Sequence, residues 1–214
     1  MCARTSEVPP WLKPLLFVLA LVPFGRLFVL GFTDGLGANP VEFVTRSTGT
    51  WALVMLCITL AITPLRRLTG RNTLVRLRRM FGLYAFFYAC VHFSIFVWLE
   101  HWFDLGAMLG DVFERPFVTV GFLALLLMVP LAVTSNQAMI RRLGRNWQVL
   151  HRLIYVIAPM AILHFWWHKA GKNDFFEPTI YGLVVAGLLL ARLLPVRRSR
   201  APPSPLSTLR GTHD

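Results

Sequence analysis

Long apolar runs alternate with short polar stretches along almost the whole chain. A helix needs about 20 mostly apolar residues to cross a bilayer. Six runs approach that length, at 12–32, 49–65, 80–99, 117–134, 148–168 and 178–195. They predict an all-α integral membrane bundle of about six transmembrane helices. Prolines 14, 23, 64, 130 and 159 fall inside these runs or near their ends. Bilayer helices accept such prolines where neighbours satisfy the freed carbonyls. The pattern divides the chain into a short N-terminal stretch (1–11), one membrane domain (12–195) and a tail (196–214). The tail region, PVRRSRAPPSPLSTLRGTHD from Pro195, is rich in proline, serine and arginine, a composition that predicts disorder, and His213 lies in it. Arg4 and Lys13 precede the first run as in a signal peptide. That run is longer than a signal's apolar region and no small-x-small site follows it, so it is expected to stay as the first helix.

Composition agrees with this reading. The chain is 56% hydrophobic and 15% charged, against about 25% charged in soluble domains. A net charge of +12 would suit a nucleic-acid partner if the cations were clustered on a soluble face. Instead they sit in short loops, so no nucleic acid is expected and the partner surface is membrane lipid. The loop between the second and third runs holds Arg66, Arg67, Arg71, Arg76, Arg78 and Arg79. The next loop on that side holds Arg141, Arg142 and Arg145, and the tail holds four more arginines. The opposite loops hold only Arg46, Arg115, Lys169 and Lys172, among many carboxylates. By the positive-inside rule both termini are cytoplasmic. Cys2, Cys57 and Cys90 are scattered, with neither a disulfide framework nor metal-ligand spacing. No repeat of fixed period stands out, although VHFSIFVW and LHFWWH share a His-Phe pair.

The histidines carry the chemistry. Ionisable groups within a bilayer are costly and face the bundle interior. His92 and His101 lie on the third run, and His151, His164 and His168 on the fifth. Counted from the cytoplasmic ends of their helices, His92 is roughly 18 Å deep and His164 roughly 24 Å. Both therefore fall in the outer half, at depths that helix tilt can match. Two imidazoles facing each other from neighbouring helices suit a six-coordinate haem. Ala85, Tyr88 and Ala89 share the face of His92 and leave room for a flat macrocycle. His151 is 13 residues before His164, which turns it to another face of an ideal helix. A second haem would need a partner for it 13 residues before His92, where Arg79 stands. One bis-histidine haem is expected. Arg76, Arg78 and Arg79, near His151, suggest contacts to an anionic group such as a flavin phosphate or haem propionates. His101 and His168, among Trp98, Trp102, Trp166 and Trp167, read as part of an interfacial aromatic belt.

Several stretches resemble one family: GLGANPVE (35–42), TGTWAL (48–53), ITPLRR (62–67), RLRRMFGLYAFFYACVHF (76–93), RPFVTVG (115–121) and LAVTSNQAMIRRLGRNWQVLHRLIYV (131–156). This is the MsrQ (YedZ) family, the haem-binding membrane subunits of the periplasmic methionine sulfoxide reductase system, within the ferric reductase-like transmembrane group. The resemblance spans roughly residues 11–195, with the block around Thr134, Ser135, Arg142, Leu143, Gly144, Trp147 and His151 its most specific part. It implies a b-type haem held by His92, His164 and possibly His151, and an associated FMN. It also implies a bacterial inner-membrane location. The chain would form a heterodimer with a periplasmic molybdenum-cofactor methionine sulfoxide reductase subunit. The electron donor would be the quinone pool or a cytosolic flavin reductase.

The expected function is therefore a multi-pass electron-transfer subunit whose catalytic partner is a separate protein. There is no GxGxxG after a strand and no loop able to host a nucleotide domain. Two alternatives are a stand-alone ferric or metal reductase, which needs an outer metal site, and a proton-coupled transporter, which should show an inverted repeat.

Overall fold

The computed structural model describes residues 9–71 and 73–193. The expected disordered tail, His213 and the first eight residues lie outside them. Among the described residues every regular element is helical. The helices are α1 (Leu12–Phe32), α2 (Pro40–Thr69), α3 (Leu74–Ile95), α4 (Leu105–Glu114), α5 (Pro116–Val133), α6 (Gln137–Leu143), α7 (Arg145–Leu150), α8 (Ile154–Ala170) and α9 (Phe176–Leu193). Five stretches are long and apolar enough to cross a membrane: Leu12–Phe32, Pro40–Thr69, Leu74–Glu100, Pro116–Val133 and Arg145–Ala170. Helix α9 packs on α2 and α8 as the sixth long helix. The all-α membrane bundle predicted from the apolar runs is the fold found.

Local chemistry sets the ends. The Asn39 side chain accepts from the Glu42 N–H and Pro40 opens the first turn, so α2 begins nine residues before its apolar run. It ends at Gly70, in the left-handed conformation that glycine adopts without strain (φ 69°). Helix α3 passes into a π-helical turn at Phe96–Glu100, and then the short amphipathic α4, capped by Asp104, leads into α5. Helix α4 falls between the apolar runs and was not among the six predicted segments. The Thr134 and Ser135 hydroxyls donate to the carbonyls of Pro130 and Leu131, and Asn136 caps the next helix. Trp147 Nε1–H then donates to Thr134 O at 3.0 Å, which folds the α6–α7 elbow back onto the end of α5.

Lipid is as apolar as leucine, so these helices are held by packing and by interhelical hydrogen bonds, each worth about 0.6 kcal/mol on average. Tyr84 and Tyr88 of α3 donate to the carbonyls of Phe17 and Ala20 on α1 at 2.8 and 2.7 Å. Tyr88 is fully buried against α1, so of the face predicted around His92 only Ala85 and Ala89 look the other way. At the arginine-rich end, Pro64 has no N–H to offer Leu60 O. The buried Arg192 of α9 takes that place, donating to Leu60 O at 2.9 Å and reaching Thr59 O at 3.3 Å. In return Arg67 of α2 donates to the carbonyls of Ala191 and Arg192 at 3.2 and 2.9 Å, capping the last turn of α9.

Candidate functional site

At the end of the bundle opposite the arginine loops, α2, α3, α5 and α8 enclose a cavity of about 290 Å³. His92 enters from α3 and His164 from α8. Their ring centroids are 6.1 Å apart and their planes are inclined at 82°. His92 Nδ1 lies 3.0 Å from Thr45 O and His164 Nδ1 lies 2.7 Å from Phe117 O. A carbonyl only accepts, so both Nδ1 atoms carry the proton and both Nε2 atoms present a lone pair. Neither Nε2 has a protein partner among the described residues, and both rings line the cavity.

Each ring also rests on a glycine. A Cβ on Gly49 would stand 3.2 Å from His92 Cε1 and Nδ1, and one on Gly121 only 2.6 Å from His164 Nδ1. The two halves share one construction. The accepting carbonyl is 47 positions before its histidine in both cases, and the glycine follows four residues after the carbonyl. Seventy-two positions separate His92 from His164 and Gly49 from Gly121. The same step relates Ala52 to Ala124, Leu53 to Leu125, Leu56 to Met128, Ala89 to Ala161 and Phe93 to Phe165, all on the cavity wall. Twelve such pairs make up most of the lining. The site is built from two copies of a helix pair, α2–α3 and α5–α8, running in the same direction. A fixed repeat therefore exists, and the His-Phe pair shared by 92–93 and 164–165 was its visible trace.

These residues fit a haem. With each nitrogen ~2 Å from iron and each ring centre ~1 Å beyond it, a bis-imidazole pair holds its centroids ~6 Å apart. Small residues (Gly49, Ala52, Ala85, Ala89, Gly121, Ala124, Ala161) leave a slot, and the carbonyls that orient the rings are the outer support a metal-ligating imidazole needs.

The other histidines are placed differently. His151 does not line this cavity. Its Nδ1 is 3.1 Å from Trp147 O, its ring stacks on Trp147 at 4.0 Å, and its buried Nε2 has no hydrogen-bond partner among the described residues. Arg78 is within electrostatic reach of it. Arg76, Arg78 and Arg79 are likewise absent from the cavity wall, near the start of α3. His101 lies 3.1 Å from Asp111 and against the Phe96 ring at 4.2 Å. His168, read from the sequence as part of an aromatic belt, lines the mouth of the cavity, one helical turn beyond His164, with its ring on Phe117. Sequence reasoning also missed Thr45, Gly49, Gly121, Arg46 and Arg115; the i, i+4 spacing of His164 and His168 was the available signal for His168. Around the mouth, Lys169 bonds Asp174 at 2.5 Å and Glu177 at 3.0 Å, and Lys172 bonds Glu42. The Lys169 ammonium beside Asp174 holds that carboxyl below the usual carboxylate range. Among the described residues no group of three or more His, Cys, Asp or Glu is arranged to hold a metal ion.

Comparison with known proteins identifies the family. The family model described as ferric reductase like transmembrane component matches residues 48–162. A protein of Herminiimonas arsenicoxydans is 57% identical over 210 residues, covering 96% of this chain and 95% of the relative. Proteins of Bordetella parapertussis and Ralstonia nicotianae are 64% identical over 178 residues (83% of this chain, 86% of the relative) and 62% identical over 191 residues (89% and 85%). All three carry the name protein-methionine-sulfoxide reductase heme-binding subunit MsrQ. Matched over nearly its whole length by these relatives, the chain belongs to the MsrQ family of ferric reductase-like transmembrane proteins.

Proposed function

We propose that the chain is a b-type cytochrome subunit that passes electrons across the bacterial inner membrane to a periplasmic methionine sulfoxide reductase. The observation that carries this reading is the facing pair His92 and His164, 6.1 Å apart with both Nε2 lone pairs uncommitted. A haem held by His92 and His164 would supply one-electron chemistry at this site. The chain's own residues do the rest. Thr45 O and Phe117 O fix the tautomer and aim the rings. Gly49 and Gly121 let the rings lie against the backbone, and the apolar wall keeps water away. The charge asymmetry of the loops supports placing this site on the periplasmic side with both termini cytoplasmic. The relatives' names support a methionine sulfoxide reductase as partner, here a molybdenum-cofactor subunit forming a heterodimer with this chain.

Electrons would enter at the opposite end from the quinone pool or a cytosolic flavin reductase. There His151, whose buried Nε2 has no hydrogen-bond partner among the described residues, and Arg76, Arg78 and Arg79 would receive FMN or another anionic or quinoid carrier. His151 is then a residue of the entry site and not a third ligand of the His92–His164 iron. Nothing specific favours a stand-alone metal reductase, and the repeat runs parallel, unlike the inverted repeat of many transporters.

The test is the spectrum of the purified protein in lipid. Reducible Soret and α bands of a bis-histidine b-type haem are expected, abolished or altered by His92→Ala and by His164→Ala and retained in His101→Ala. Wild-type protein without these bands would sink the assignment.

A further inference from the structure

The charged side chains that line the cavity are confined to one end. Its deep wall is apolar, with Leu56, Met128 and Ile157, whereas Arg46, Arg115, Glu100, His168 and Glu177 line the mouth. The two carboxylates are already engaged, Glu100 with the Thr45 hydroxyl at 3.0 Å and Glu177 with Lys169 at 3.0 Å. The two arginines have capacity left. Arg46 stands 4.0 and 3.7 Å from Glu42 and Glu177, too far for direct hydrogen bonds. Arg115 uses its Nε on Asp111 at 3.2 Å, and its two terminal nitrogens have no partner among the described residues. Asp111 is braced in turn by His101, so one face of the Arg115 guanidinium is fixed and its fork is left over.

Symmetry adds a second, independent constraint. The repeat relates the two helix pairs by an approximate two-fold axis parallel to the helices, passing between the two histidines. A haem has a matching operation. Rotation about its in-plane axis running between the propionates exchanges its two faces and its two propionates. A haem seated on such an axis would give each helix pair one face and one propionate; each pair carries one arginine at the mouth, although the 72-position step sets Arg46 against Val118 and Arg115 against Phe43, so the two arginines reach the mouth from different positions of the repeat.

Resting on the haem reading of the His92–His164 site, we infer that Arg46 and Arg115 bind the two haem propionates, one each, and so fix the carboxylate edge at the mouth of the cavity. Turned the other way, the carboxylates would lie ionised among Leu56, Met128 and Ile157, at a large desolvation cost. His101 and Asp111 are positioning residues for Arg115.

The experiment compares wild-type protein, Arg46→Gln, Arg115→Gln, the double variant, Arg79→Gln and a control far from the mouth, Arg141→Gln, in lipid nanodiscs. Two quantities are read: the haem midpoint potential against pH, and the preference of haem-depleted protein for haemin over its dimethyl ester, in which both carboxylates are blocked. Removing a cation from a propionate favours the ferric state, so each single mouth variant should have a lowered potential with its bis-histidine spectrum unchanged. Its pH dependence should move toward neutrality as the propionate loses its partner. A charge-assisted bond lost per variant should reduce the preference for haemin about tenfold or more, with the double variant losing most of it. Arg141→Gln should keep the preference. If Arg46→Gln and Arg115→Gln retain the wild-type potential and preference, or if Arg79→Gln shifts them instead, the inference is overturned. Wild-type protein without a bis-histidine spectrum would overturn the haem assignment itself, which is a different result.

Discussion

Gly121→Ala is the sharpest perturbation available at the site, because it adds one carbon and removes nothing. The new Cβ would lie 2.6 Å from His164 Nδ1, 2.8 Å from Cε1 and 3.2 Å from Cγ. Relief to ordinary contact demands a ring displacement of ~0.8 Å. The ring is tethered by its 2.7 Å bond to Phe117 O and by its own helix, so the displacement stretches that bond and carries Nε2 off the axis facing His92. Loss of the support behind a metal ligand costs about 10- to 100-fold in affinity. Gly49→Ala is the internal comparison. Its Cβ meets His92 at 3.2 Å, so a shift of a few tenths of an ångström suffices. Alanine is otherwise favourable in a helix by about 0.5–1 kcal/mol, so neither change should impair folding. The assay is the haem-to-protein ratio and α-band position after purification in lipid, with thermal unfolding as the control for fold. Gly121→Ala should lose most of its haem or show a shifted spectrum, while Gly49→Ala remains largely loaded. A fully loaded Gly121→Ala with the wild-type spectrum would refute the claim that the glycine is there for the ring.

Three further outcomes follow from the same structure. Arg192→Met should destabilise the bundle by about 1–3 kcal/mol, because it orphans Leu60 O; in a Pro64→Ala background the restored N–H should remove much of that cost, and equal losses in both backgrounds by thermal unfolding would discard the explanation. The Asp174 carboxyl is held low by Lys169, so its contribution is complete above the ordinary carboxylate range and is lost only as pH falls through the lowered value. Proteolysis at residues 171–175 should therefore stay slow at pH 5 in wild type and be fast already at pH 7 in Asp174→Asn; identical pH profiles would reject the pairing. Imidazole planes inclined at 82° leave the two iron orbitals that interact with them nearly degenerate, so the ferric haem should give a highly anisotropic low-spin EPR signal, whereas the rhombic spectrum of parallel imidazoles would contradict the ring geometry.

The fold was legible because a bilayer imposes it. Length and apolarity alone locate the spans, and the arginine loops mark one end. The limits of the helices were less visible, since α2 starts with Asn39 and Pro40, polar signals placed before the apolar run. The facing histidines, His92 and His164, were legible because a histidine in a bilayer needs a reason to be there. Their supports were not. Thr45 and Phe117 contribute backbone carbonyls, which any residue type could supply. Gly49 and Gly121 matter only for what a side chain would strike.

The same distinction explains why the repeat escaped the sequence. Along the cavity wall its two copies keep identical residues only at the histidine, the phenylalanine after it, the glycine under the ring, and Ala52, Leu53 and Ala89 with their counterparts. Elsewhere they keep volume or backbone position, as Leu56 against Met128 or Thr45 against Phe117. Where they diverge outright they assign direction. His151 stands 72 positions after Arg79, so at the arginine-rich end one copy offers an imidazole and the other a guanidinium, and no second matched pair of ligands can form there. The facing histidines at one end and an imidazole–guanidinium pair at the other give an otherwise repeated structure two different ends, as the proposed roles of an exit site and an entry site would have it.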